Sequence, residues 1–320
     1  MTVSVLVPTT GPWSEVAGYA ALADELGYES VNCSHISARD SFTTLAALVV
    51  SAPHVRLGTA VAPLYHRSPA SMAQTGATVD DLSGGRFRLG LGTGHRITMG
   101  QWHGAEIGKP LAEMREYVGV VRTLWSGQTA TDGQRWRSEF GFVGFTPRPD
   151  IPIYLAALSR SMIRLAAEIA DGIVLWACPS SYVRDVVVPE IAEVRRAAGL
   201  DIDGFDILAA VPAAATDDVD TAMTGVRDEL HRYFGLPFYR AMFQAAGYDD
   251  DIAAYDAAED RAAQLNAISE RFILDLCAIG DNQTVAQVLQ RYRQAGASNP
   301  MITQIRGTDF LPTLHAAAEQ

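Results

Sequence analysis

Apolar runs of five to seven residues alternate with amphipathic stretches of helical period along most of the chain. That alternation is the mark of repeated strand-helix units around a parallel sheet. Residues 3–8, 30–34, 56–62 and 86–92 read as the first four strands, and 151–157, 172–177, 205–211 and 300–305 as the last four. Between them lie helices over 13–26, with Val16, Ala20 and Ala23 inward and Gly27 as the closing cap, and over 41–51. Ser68-Pro69 opens another in the preferred cap-plus-first-turn arrangement. The helix over 110–125 carries Leu111, Met114, Val118, Val121 and Trp125 at three-four spacing, and further helices follow over 161–170, 181–198, 284–296 and 310–318.

Two segments interrupt the rhythm. Residues 128–150, with Trp136, Phe140, Phe142 and Phe145 among glycines and arginines, read as an excursion or hairpin before the fifth strand. Residues 217–272 are helical throughout and too long for a plain connection. They fit either an insertion over a barrel mouth or an extra helical pair packed outside. Eight strands with intervening helices predict a single-domain (β/α)8 TIM barrel over 1–320 rather than an open sheet.

Composition narrows the partners. The chain has 320 residues, 48% hydrophobic and 19% charged, enough for a full core in one barrel or two smaller domains. A net charge of −12 without a basic face disfavours nucleic acid and anionic membranes and leaves a small molecule as the expected partner. Lys109 is the single lysine, and arginine supplies the other basic charges, a coding bias rather than a signal. Cys33, Cys178 and Cys277 are far apart with no Cys-x-x-Cys pair, which suits buried thiols in a reducing cytoplasm. With no basic leader and no apolar run of 18 residues, the expectation is a soluble, unprocessed cytoplasmic protein.

The chemistry gathers at strand ends. In Gly84-Gly85-Arg86-Phe87-Arg88-Leu89-Gly90-Leu91-Gly92-Thr93-Gly94-His95, three alternating glycines end the fourth strand before a titratable histidine. The spacing is not a dinucleotide fingerprint, because the third glycine comes one position early and residues 96–100 are a poor helix start. Two readings stay open: a lip where backbone approaches a ligand, or glycines that relieve crowding inside a strand. His35 directly follows the second strand, so His35 and His95 occupy equivalent edges where parallel barrels keep acid-base groups. His54 falls at the opposite face and should be inert; His66 lies in a loop at the active face; His103, His231 and His315 have no supporting context. No histidine or carboxylate cluster has ligand spacing, so no metal is expected. The turn Ala157-Leu158-Ser159-Arg160-Ser161 joins the fifth strand to its helix, either as a phosphate site at a helix N-terminus or as a plain serine cap. No Gly-x-Ser-x-Gly elbow is present for a hydrolase.

Several ordered strings resemble the bacterial luciferase-like flavin and deazaflavin oxidoreductases. They are Leu57-Gly58-Thr59-Ala60-Val61-Ala62-Pro63, Tyr65-His66-Arg67-Ser68-Pro69, the run from Asp80 to Arg86, Leu89 to Gly94, Leu124-Trp125-Ser126-Gly127, Ile151 to Ala157 and Ala170-Asp171-Gly172. Within that superfamily the chain is most similar to the coenzyme F420-dependent branch, which includes methylenetetrahydromethanopterin reductases and F420-dependent glucose-6-phosphate dehydrogenases. The resemblance implies a barrel with F420 in its C-terminal mouth and a homodimer. It implies a non-prolyl cis peptide in the third strand at Thr59-Ala60 or Ala60-Val61, against the ring. It makes His35 the strand-two histidine, puts His95 where relatives carry an acidic residue, and assigns Leu158 to Ser161 to the cofactor phosphate. Ser34 stands where an aspartate often precedes the histidine, and Leu158-Ser159 where relatives have a glycine-containing turn.

The implied activity is hydride transfer between C5 of F420 and a small organic substrate, with His35 or His95 as acid or base and Thr59, Ala60, Val61, Gly92, Thr93, Gly94 and the 157–161 turn at the cofactor. The alternatives are an FMN-dependent monooxygenase using reduced flavin and oxygen, and a flavin-binding protein without catalysis.

Overall fold

A computed structural model describes residues 2–319. Its strands are β1 (Ser4–Leu6), β2 (Ser30–Cys33), β3 (Arg56–Thr59), β4 (Ala62–Pro63), β5 (Phe87–Gly92), β6 (Ile153–Ala156), β7 (Gly172–Leu175), β8 (Asp206–Ala215), β9 (Ala278–Gly280) and β10 (Asn299–Gln304). All pairings are parallel. β1 pairs with both β2 and β10, and β10 also pairs with β8, so the sheet closes on itself. Since β3 and β4 are two halves of one stave and β9 lies off the ring, the result is the expected eight-staved TIM barrel.

The strand ends differ from expectation where tertiary partners intervene. The third strand is interrupted between Thr59 and Ala62, and its Ala60–Val61 peptide is cis, the second of the two positions the resemblance allowed. β8 runs four residues past the expected Val211, because Ala213 to Ala215 gain a partner in the unforeseen β9. Residues 96–100 are a correction: they open a helix, Arg96–His103. Gly94 (φ +67°) turns the chain into it, Met99 is buried beneath it, and Gly104 (φ +62°) closes it in the left-handed region.

Of the stripe expected on Pro110–Trp125, Met114, Val118, Val121 and Trp125 are buried while Leu111 is exposed. The excursion over 128–150 has one antiparallel bridge, Ala130 to Ser138, and its aromatic side chains pack onto the core. The helical stretch is Val219–Phe234, Pro237–Ala245, Asp249–Ala257, Arg261–Ala267 and Glu270–Leu276. Among the described residues no helix is long and apolar enough to cross a membrane.

The main core lies between strands and helices. A smaller cluster of Tyr154, Val174, Leu208, Ala210 and Met301 fills the barrel interior. Toward the N-terminal ends the interior turns polar. There Arg88, 2% exposed, pairs with Glu29 at 3.0 Å, and Glu29 also accepts from Ser4 (3.0 Å) and Asn299 (2.6 Å). Burial would raise the Glu29 pKa, but the Arg88 and Arg56 guanidiniums and the hydrogen bonds from Asn299 and Ser30 bring it below its usual value.

Candidate active site

The glycines after β5 owe their identity first to β3. A Cβ on Gly90 would stand 1.9 Å from the Thr59 carbonyl oxygen, and one on Gly92 would stand 2.7 Å from a Val61 methyl. Thr59 locks this contact from its side chain: Oγ1 donates to the Gly90 carbonyl at 2.7 Å and accepts the Gly90 N–H at 2.9 Å. At Gly90 and Gly92 the structure therefore shows relief of crowding, which lets the Thr59-Ala60-Val61 segment lean across the barrel.

That leaning builds a floor. Ala60 and Val61, with Leu6 and Trp176, cap the interior cluster and stay half-buried at the C-terminal mouth. The Trp176 Nε1–H is buried there, near the Tyr233 hydroxyl but without a well-formed hydrogen bond. A flat apolar floor beside an unsatisfied donor is what a planar polar heterocycle requires, so the residues fit a flavin-type ring. Thr93 and Gly94 continue from this floor toward the rim, half-buried and exposed respectively.

Two groups of histidines flank the floor. His35, at the end of β2, has its Nδ1 2.8 Å from Ser41 Oγ, accepts the Ser41 N–H at 3.3 Å, and stands 3.7 Å from Asp40. Burial lowers its pKa, Asp40 opposes that, and Arg67 and His103 add to it. His66, in the single turn Leu64–His66, has its ring 5.1 Å from that of His35 and 3.9 Å from that of His103. His95, at the start of helix Arg96–His103, instead faces Tyr239 at 5.9 Å between ring centroids. Burial and Arg232 lower its pKa. Among the described residues no ring contact joins His35 to His95.

The 157–161 turn shows the structural role of each residue. Ala157 is buried, the Leu158 carbonyl accepts Tyr182 OH at 2.7 Å, and Ser159 Oγ caps the helix by accepting the Met162 N–H at 3.3 Å. Arg160 is ion-paired with Glu190 at 2.5 Å, while Ser161 is exposed. Helix Val219–Phe234 reaches over the same end of the barrel. The missing Cβ of Gly225 would lie 2.2 Å from the Arg306 carbonyl after β10, and Tyr233 packs on Trp176 at 6.2 Å.

A family model described as luciferase-like monooxygenase matches residues 1–299. The chain belongs to the luciferase-like monooxygenase family. Within it, an F420-dependent glucose-6-phosphate dehydrogenase of Nocardia farcinica is 29% identical over 89% of this chain and 86% of its own. A 5,10-methylenetetrahydromethanopterin reductase of Archaeoglobus fulgidus is 32% identical over 67% of this chain and 64% of its own. A coenzyme F420-dependent tetrahydromethanopterin reductase from Methanopyrus kandleri superposes with a TM-score of 0.84 at 22% identity, covering 100% of this chain and 97% of that one, and so shares the fold.

Sequence reasoning missed three things at this luciferase-like mouth. His103 was left without context because its helix was not foreseen; the structure sets it against His66. Trp176 was read as part of a strand, although the last residues of a barrel strand already mark a ligand-facing position. Tyr239 gave no signal, since nothing in its own helix says that it meets His95.

Proposed function

We propose that this protein is an F420-dependent oxidoreductase acting on a small, uncharged organic substrate. The observation that carries the reading is the apolar floor of Leu6, Ala60, Val61 and Trp176 at the barrel mouth, with a histidine held neutral beside it. When bound, the deazaflavin supplies C5 as a two-electron hydride carrier.

Thr59 fixes the tilt of Ala60 and Val61, which would support one face of the ring; Gly92 makes room for Val61, and Thr93 and Gly94 would lie toward the ring's edge. The first-turn amides of the helix that Ser159 caps lack intrahelical partners and suit the cofactor phosphate, with Arg160 and Ser161 at the rim. The Ser41 N–H directed at His35 Nδ1 favours the tautomer with hydrogen on Nε2. His35 then exchanges a proton with the substrate oxygen at Nε2. His95, neutral and turned to Tyr239, orients substrate from the side of the helical segment.

Helices Val219–Phe234 and Pro237–Ala245, which bring Tyr233 to Trp176 and Tyr239 to His95, shield the mouth from water. The exposed rim residues Ile36, Ile97, Trp102 (56%) and Phe238 (73%) select an apolar substrate body.

Fluorescence titration with F420 and FMN, followed by hydride-transfer assays over secondary alcohols, ketones and unsaturated carbonyls, tests the proposal. Saturable F420 binding with turnover is the expected result. FMN binding without F420 binding, with oxygen consumed on flavin reduction, would move the protein to the monooxygenases. F420 binding without turnover of any such substrate would leave a carrier.

A further inference from the structure

The proposed chemistry uses His35 alone among three imidazoles that the fold brings into one row. They come from separate elements: His35 from the end of β2, His66 from the turn after β4, and His103 from the last position of helix Arg96–His103. Ring centroids are 5.1 Å apart from His35 to His66 and 3.9 Å from His66 to His103. Exposure rises along the row. The His35 side chain is 13% exposed, His66 is half-buried and His103 is open to solvent. His66 Nε2 is sealed from water and has no hydrogen-bond partner. A buried orphan nitrogen is costly unless a second state satisfies it.

The charges around the row come from two neighbours. Asp40, which caps helix Ser41–Ser51, is paired with Arg67 at 2.5 Å, and Arg67 lies over the Phe42 ring at 4.8 Å. Arg67 offsets much of the Asp40 charge, and the remainder favours the proton on His35, the ring that uses it. Burial, reinforced by His103, His35 and Arg67, pushes the His66 pKa down to about 4, so the middle ring stays neutral at physiological pH and does not trap a proton.

We infer that His103 and His66 form a proton path between bulk water and His35, replenishing or draining the proton that His35 exchanges while cofactor and substrate close the mouth. The inference rests on the assignment of His35 as the proton-exchanging group. Imidazole suits the task because one ring nitrogen accepts while the other releases. Among the described residues no hydrogen bond joins these rings as they stand, so each hop requires a ring to turn a nitrogen toward its neighbour, whereupon one N–H bond breaks and one N–H bond forms on the next ring. Water supplies or receives the proton at His103, and no electron pair changes owner. With Nδ1 engaged by Ser41, His35 Nε2 serves the substrate and the path in turn.

The test uses His66→Asn, His103→Asn and His35→Ala in the full chain. In a bulky, dilute buffer the two asparagine variants should turn over at least about tenfold more slowly, with F420 affinity unchanged, and small imidazole added to the medium should restore the rate. Independently of activity, 15N-histidine NMR of the cofactor-free protein should show the His66 midpoint rising in His103→Asn, because a repelling neighbour is gone. Unchanged rates in both variants, or slowed rates that imidazole does not restore, overturn the path. His35→Ala with full turnover overturns the underlying assignment instead. His35→Ala inactive with both asparagine variants at full rate removes the path alone.

Discussion

The two ends of this barrel hold their polar groups on opposite terms. At the N-terminal end, Arg88 and Glu29 are buried as a matched pair with Asn299 and Ser4 around them, and the Glu29 carboxylate is held ionised below its usual range. At the C-terminal mouth, His35, His66 and His95 are all shifted downward, so each is held neutral. A matched buried pair fixes structure, because removing either member strands the other. Neutral rings with shifted pKa values are what a ligand site requires before its ligand arrives. One scaffold thus carries matched charge at one end of its axis and neutral candidate groups at the other.

That contrast can be broken at either end. The largest expected effect is at the mouth: His35→Ala should lower turnover by about 10²- to 10⁴-fold with F420 affinity and melting temperature nearly unchanged, as steady-state kinetics and calorimetry would read. A drop in melting temperature with turnover intact would erase the distinction. At the other end, Arg88→Met should cost about 1–3 kcal/mol of stability by denaturant titration, because Glu29 keeps only the exposed Arg56 as a cationic partner, while the folded fraction keeps its F420 affinity. Loss of cofactor binding without loss of stability there would contradict the division.

Smaller effects sharpen it. Ser159→Ala should cost about 1 kcal/mol for the lost helix cap. If the turn also holds phosphate, F420 affinity should fall while affinity for a deazaflavin lacking the phosphate tail stays constant. The smallest effect is on pH dependence. The His66 pKa is about 4 in the folded chain against 6.5 for the free side chain. Between those values the unfolded chain binds a proton that the folded chain does not, so stability is fully present above about 6.5 and declines as pH falls toward about 4. His66→Asn should flatten that part of the stability profile in acid melts.

Much of the architecture was legible because it is written locally. Alternating strand and helix periods specify eight staves, and caps such as Ser68-Pro69 and Gly27 mark helix ends by backbone geometry alone. The glycines after β5 were visible as unusual, but their cause was not, since the atoms that forbid a Cβ belong to Thr59 and Val61 some thirty positions earlier. His35 could be found from its place after a strand. His66 and His103 could not be joined to it, because 35, 66 and 103 share no period and meet only when three separate elements converge.

The sequence alone therefore determined the number and order of staves, the placement of candidate histidines at their C-terminal ends, and the family, since propensity, periodicity and motif all act over a few residues. Tertiary structure decided the break in the third strand, the helix after Gly94, the tilt of Ala60 and Val61 into a floor, and which histidines face one another. These depend on contacts between residues far apart in the chain, and closing the barrel is what sets such distances.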